Sequence, residues 1–150
     1  MEKLFEFYIR TTPERLWEAI VDPEIRGKYN FGAGVTSDWS LGSRLELGAP
    51  TAGVLLGEGE VLEVDPPRRL VHTMVALWSD EVKGEGASRV TWEIKPIEDT
   101  CRLMLTHDRL REGASAELYG GWPMILSGLK TWLETGEVLT TPGSLQYGSG

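Results

Sequence analysis

From Leu4 to Arg10, apolar Phe5, Phe7 and Ile9 alternate with Glu6, Tyr8 and Arg10, the two-residue period of a half-buried strand. Thr11-Thr12-Pro13-Glu14 then reads as a helix start, with Thr12 as cap and Pro13 at the first helical position. Leu16, Trp17, Ile20 and Val21 form its apolar face. Asp22-Pro23-Glu24 restarts a second short helix, capped by Asp22 and expected to end near Gly27. A glycine-punctuated stretch of short strands follows. Leu45 and Leu47 alternate with Arg44 and Glu46, and Val54 to Val64 reads as a longer strand. After the turn Asp65-Pro66-Pro67, Leu70 to Trp78 is nearly all apolar, which suits a strand covered on both faces. Ser79 to Ala87 reads as a polar hairpin loop. Val90, Trp92 and Ile94 alternate with Arg89, Thr91, Glu93 and Lys95, and Leu103, Leu105 and His107 with Met104, Thr106 and Asp108. The last element is helical: Leu118, Trp122, Ile125, Leu126, Leu129, Trp132 and Leu133 recur at helical spacing, and Gly136 sits where a C-cap belongs. Pro123 predicts a kink or a restart near its beginning.

The order is strand, two short helices, about six strands and one long helix. Short connections imply an antiparallel meander, and the wide apolar face of the helix must lie against that sheet. This is an α+β fold in one domain, expected over residues 1–139, with a Gly/Ser-rich tail over 140–150. At 150 residues the chain can bury a core without disulfides or a structural metal. Its formal net charge of −8 disfavours nucleic acid and anionic lipid surfaces as partners. No apolar run is long enough to span a bilayer, the N-terminus has no signal-peptide pattern, and a cytoplasmic protein is expected. The single cysteine, Cys101, reads as a small buried strand residue.

The element order resembles the helix-grip fold of the START-like, or SRPBCC, superfamily. The local motifs are more specific. Val21-Asp22-Pro23-Glu24 with Tyr29, then Ser37-Asp38 before Gly42, form one block. Val61-Leu62-Glu63-Val64-Asp65-Pro66-Pro67-Arg68-Arg69-Leu70-Val71 forms a second, and Leu103-Met104-Leu105-Thr106-His107 a third. Gly121-Trp122-Pro123, Leu129-Lys130 and Leu133-Glu134-Thr135-Gly136 complete the series. Together they resemble the family similar to the activator of heat-shock-protein-90 ATPase, from Leu4 to Val138. Two positions depart from the family pattern at the expected cavity mouth: Tyr29 stands where Trp is common, and Gly42-Ser43 where Gly-Gly is common. The resemblance implies a curved sheet wrapped around the long helix, with a cavity between them. Relatives use that cavity for lipids, polyketides or other apolar molecules.

Within that frame, His107 shares a strand face with Leu103 and Leu105 and is expected to point inward, as a hydrogen-bonded core histidine or as a polar anchor for a ligand. Asp108 is its neighbour but belongs to the opposite face, so no His–Asp dyad is expected. His72 can take either face, with a rim position favoured. Glu58 and Glu60 share a face with Leu62 and Val64; both carboxylates turn inward if Leu62 does, and otherwise begin a solvated strand. Trp122 is expected beside the cavity. Its lining is expected to include His107, Trp122, Leu103, Leu105, Trp92, Ile125, Leu126, Leu129, Tyr29, Trp39 and Leu62, and to open toward the Tyr29–Trp39 and Gly48–Gly57 loops. No nucleotide-binding loop, hydrolase motif, metal-ligand set or catalytic constellation is visible, and no cofactor is expected. The leading reading is a binder of an apolar or amphipathic small molecule, monomeric or homodimeric. The alternatives are a polyketide-cyclase-like enzyme using the same cavity, with His107 or Glu60 moving a proton, and a chaperone-ATPase-activator-like interaction protein.

Overall fold

A computed structural model describes residues 1–49 and 53–141. It holds seven strands and four helices: β1 (Lys3–Ile9), α1 (Pro13–Val21), α2 (Pro23–Tyr29), β2 (Gly34–Ser37), β3 (Arg44–Ala49), β4 (Val54–Asp65), β5 (Arg69–Ala76), α3 (Asp80–Lys83), β6 (Ala87–Ile97), β7 (Thr100–Asp108) and α4 (Trp122–Thr135). The strands form one antiparallel sheet in the order β1-β7-β6-β5-β4-β3-β2. This is the helix-grip architecture: α2 packs on β2 at one edge, α4 packs on β1 at the other, and the two helices touch each other.

Local chemistry sets the helix ends. The Thr12 hydroxyl accepts a hydrogen bond from the Arg15 amide at 3.2 Å, and the Asp22 carboxylate accepts from the Ile25 amide at 3.0 Å. Each satisfies an amide that the first helical turn leaves unpaired. The second helix continues past Gly27 to Tyr29, because the Tyr29 ring is buried and its hydroxyl donates to the Ala19 carbonyl at 2.7 Å. The last helix is shorter than its apolar pattern suggests. Leu118 belongs to a separate 3-10 turn, and α4 begins at Trp122, with Pro123 in a first turn whose amides have no intrahelical acceptor. Gly136 ends it in the left-handed region, at φ 76°. The Ser79–Ala87 loop contains the helical turn α3, seated by fully buried Val82.

Two irregularities bend β4. Leu56 is an extra residue opposite β3, and Leu62 an extra residue opposite β5. Gly59 lies between them so close to β5 that a Cβ there would stand 2.0 Å from the Thr73 carbonyl oxygen. The expected inward position of Leu62 is therefore overturned. Just before the bulge it is Val61, 1% exposed and paired with His72, that takes the inward face. The tail expected over 140–150 lies almost wholly outside the described residues, as does part of the Gly48–Gly57 loop.

Candidate functional site

At the β6–β7 end of the sheet the interior is solid. Leu103 and Leu105 of β7 and Leu126 and Leu129 of α4 belong to one core cluster, and all four are fully buried. Toward β3–β5 the layers part, and a cavity of about 260 Å³ opens between sheet, α2 and the start of α4. Leu45, Leu47, Leu56 and Met74 form its sheet wall, and Leu118, Trp122 and Ile125 face them. Phe31, Ala33 and Val35 close one side. The bulge that makes Leu56 the unpaired residue of β4 places it against Ala33, which no alternation pattern encodes. Trp78 and exposed Glu117 stand at the outer end, joined by an indole N–H donating to the carboxylate at 3.2 Å.

Of the residues expected around a cavity, Trp122 and Ile125 line this one. Leu103, Leu105, Leu126 and Leu129 instead lie fully buried in the core away from the cavity. Trp92 lies one layer below the wall at 1% exposure. Tyr29 packs between α2 and α4, fixed by its bond to Ala19. Burial pushes its phenol up to about 12. Trp39 sits in the β2–β3 connection at φ 54°, away from the cavity, and Leu62 is lost to its bulge. Glu58 borders the cavity, but its register places it opposite Glu46 and Val75, and its carboxylate accepts from Arg44 at 2.6 Å. Glu60 is exposed on the same face as Arg44.

Both histidines are buried and each receives an indole N–H. Trp122 Nε1 donates to His107 Nδ1 at 3.1 Å. Because an indole can only donate, the His107 proton sits on Nε2, which donates to Ser88 Oγ at 2.7 Å. The Ser88 hydroxyl in turn donates a hydrogen bond to the Met74 carbonyl at 3.3 Å. His107 is thus fully satisfied behind the cavity wall and holds Trp122 in place, without reaching the cavity surface. His72, for which a rim position was favoured, is instead buried and lines the cavity. Its inward turn follows from pairing with Val61 across the bulged β4. Trp92 Nε1 donates to His72 Nε2 at 3.2 Å, so His72 Nδ1 carries the proton and donates to the Thr73 carbonyl at 2.8 Å. The two indoles meet edge to face with centroids 5.6 Å apart. Burial pulls both imidazoles down to about 4, so both are neutral at physiological pH. Asp108 turns to the other face, where Arg89 holds its carboxyl below the usual range.

Arg26 is the wall residue that sequence reasoning missed. It is 5% exposed, its guanidinium lies 4.9 Å from the Trp92 ring centroid, and its Nη1 donates to the Ile20 carbonyl at 2.8 Å. An arginine in a short polar helix reads as solvated; the only hint was the face it shares with Tyr29 and Asn30. Among the described residues, no group of three or more His, Cys, Asp or Glu side chains is placed to hold a metal ion.

Comparison with known proteins follows the architecture. The family model "Activator of Hsp90 ATPase homolog 1-like protein" matches residues 10–134. Protein MLL2253 of Mesorhizobium loti shares 23% identity and a TM-score of 0.75, covering 92% of this chain and 100% of that one. PFC0360w, an HSP90 activator of Plasmodium falciparum, shares 22% and 0.72, covering 89% and 96%. The Aha1 dimer of Colwellia psychrerythraea shares 18% and 0.69, covering 91% and 98%. At these identities the solved structures establish the fold. No curated protein matches the sequence significantly.

Proposed function

The chain belongs to the Activator of Hsp90 ATPase homolog 1-like family, and we propose that it binds an apolar or amphipathic small molecule in the cavity between β3–β5, α2 and the start of α4. The observation that carries this reading is the cavity of about 260 Å³, with its predominantly apolar walls. Its volume lies just under the roughly 300–1,000 Å³ of drug-sized sites, which favours a compact ligand. The wall is preorganised: His107 fixes Trp122 and the Leu56 bulge fixes the opposite side. A binding role is favoured over catalysis because both imidazoles have their nitrogens committed to hydrogen bonds and are neutral at physiological pH.

The test is titration with the neutral apolar dye N-phenyl-1-naphthylamine. Saturable dye fluorescence with quenching of tryptophan emission is expected. Filling the cavity with Leu56→Trp should weaken binding at least about tenfold, whereas exposed Lys95→Ala should leave it unchanged. Dye binding that survives Leu56→Trp would place the dye elsewhere and remove support from this reading.

A further inference from the structure

The cavity wall contains one group that an apolar pocket does not need. Arg26 carries a full positive charge at 5% exposure, and no carboxylate pairs with it among the described residues. Only Nη1 of its guanidinium makes a hydrogen bond, to the Ile20 carbonyl, and Nε is buried with no partner at all. The Trp92 ring, its centroid 4.9 Å from the guanidinium carbon, offsets part of the desolvation but accepts no N–H hydrogen bond in place of the missing counter-charge. The guanidinium N–H groups that remain unspent are the donors a carboxylate suits. A buried, uncompensated charge is expensive, and a protein that keeps one beside a cavity gains if a ligand supplies the counter-charge.

We propose that the cavity is selective for a small amphipathic acid, with its carboxylate on the Arg26 guanidinium and its apolar body against Leu45, Leu56, Met74 and Trp122. This rests on the binding reading above and names the ligand class for the same site. The polar groups around the cavity are consistent with one anionic head at the Arg26 end. His72 is neutral, Asn30 Nδ2 donates to the Ala33 carbonyl at 3.2 Å, and the two wall carboxylates are committed, Glu58 to Arg44 and Glu117 to Trp78. The chain's net charge of −8 opposes an approaching anion, but solvent and salt screen that repulsion beyond about 8 Å, whereas the guanidinium acts at contact.

The experiment compares decanoate with 1-decanol as displacers of N-phenyl-1-naphthylamine, in the wild type and in Arg26→Gln and Arg26→Lys. The wild type is expected to favour decanoate by at least about tenfold. Arg26→Gln should abolish that preference, read as the ratio of decanoate to decanol affinity within the same variant, and Arg26→Lys should restore part of it. A second readout does not require a variant: the Arg26 Nε–H resonance in a ¹⁵N correlation spectrum of the wild type should shift with decanoate and stay in place with decanol. If the dye binds but decanoate and decanol compete equally, or if the Nε–H resonance ignores decanoate, the acid selectivity is overturned and the apolar site stands. If neither the dye nor either displacer binds, the binding reading itself falls and takes this proposal with it.

Discussion

Each histidine in this chain is held neutral by a tryptophan that donates to it. Protonating His107 Nδ1 or His72 Nε2 would set a new N–H against an indole N–H in a buried setting. Their pKa values near 4 follow from that burial, against about 6.5 in an unfolded chain. The sign is fixed by proton uptake. Between about pH 6.5 and 4 the unfolded chain binds protons on both rings and the folded protein does not, so stability falls as the pH falls. Two such groups give a slope approaching about 2.7 kcal/mol per pH unit. Urea unfolding at pH 7, 6 and 5 should show this loss, and replacing His72 with Gln should roughly halve its steepness. A stability that stays flat from pH 7 to 5 would contradict the neutral, indole-bonded rings. Asp108 beside His107 and Arg26 beside His72 perturb the two sites in opposite directions, so the rings need not titrate together.

Between elements, α2 and α4 approach each other closely. A Cβ added at Gly128 would stand 2.9 Å from the Tyr29 Cβ and 3.4 Å from its Cα, so the glycine is what lets the helices touch. Gly128→Ala should therefore lower the melting temperature despite its better helix propensity, by an amount equivalent to about 1–3 kcal/mol of overpacking. A stabilised variant would show that the helices can separate without loss. At the other edge the docking of α4 is polar: Lys130 Nζ donates to the Tyr8 carbonyl at 2.6 Å, and Glu134 accepts from the Arg10 amide at 2.8 Å. Lys130 and Glu134 look like an exposed i,i+4 pair in sequence, yet both tie the helix to β1. The helical spacing shows that they share a face, and only the position of the edge strand gives that face a partner.

Across the whole molecule, packing quality divides the fold. The β6–β7–α4 half is filled by fully buried Leu103, Leu105, Leu126 and Leu129, while the β3–β5 half surrounds a void and includes both bulges. Opening a region with fewer apolar contacts takes less free energy. Native-state hydrogen exchange should accordingly find the amides of β6 and β7 protected up to global unfolding, with β2, β3 and α2 exchanging through smaller openings. Uniform protection would mean the cavity does not weaken its end. The element order and the helix grip were legible in the chain, because alternation and helical spacing report which face is apolar; the packed half was not, since those patterns put Leu103, Leu105, Leu126 and Leu129 around the cavity. Those patterns turned His107 inward but put it on the cavity lining, whereas it lies behind the wall; Trp122 and Ile125 do border the cavity. They misplaced Leu62 and left His72 open, because a bulge shifts the side-chain period without leaving a mark in composition. They passed over Arg26, because a charged residue in a short polar helix looks solvated until a sheet closes over it. The sequence by itself thus determined the elements, their order and the family they belong to. The location of the cavity and the charge within it were decided by tertiary structure alone, since both depend on where packed layers fail to meet, a property of distances between elements and not of any one element's pattern.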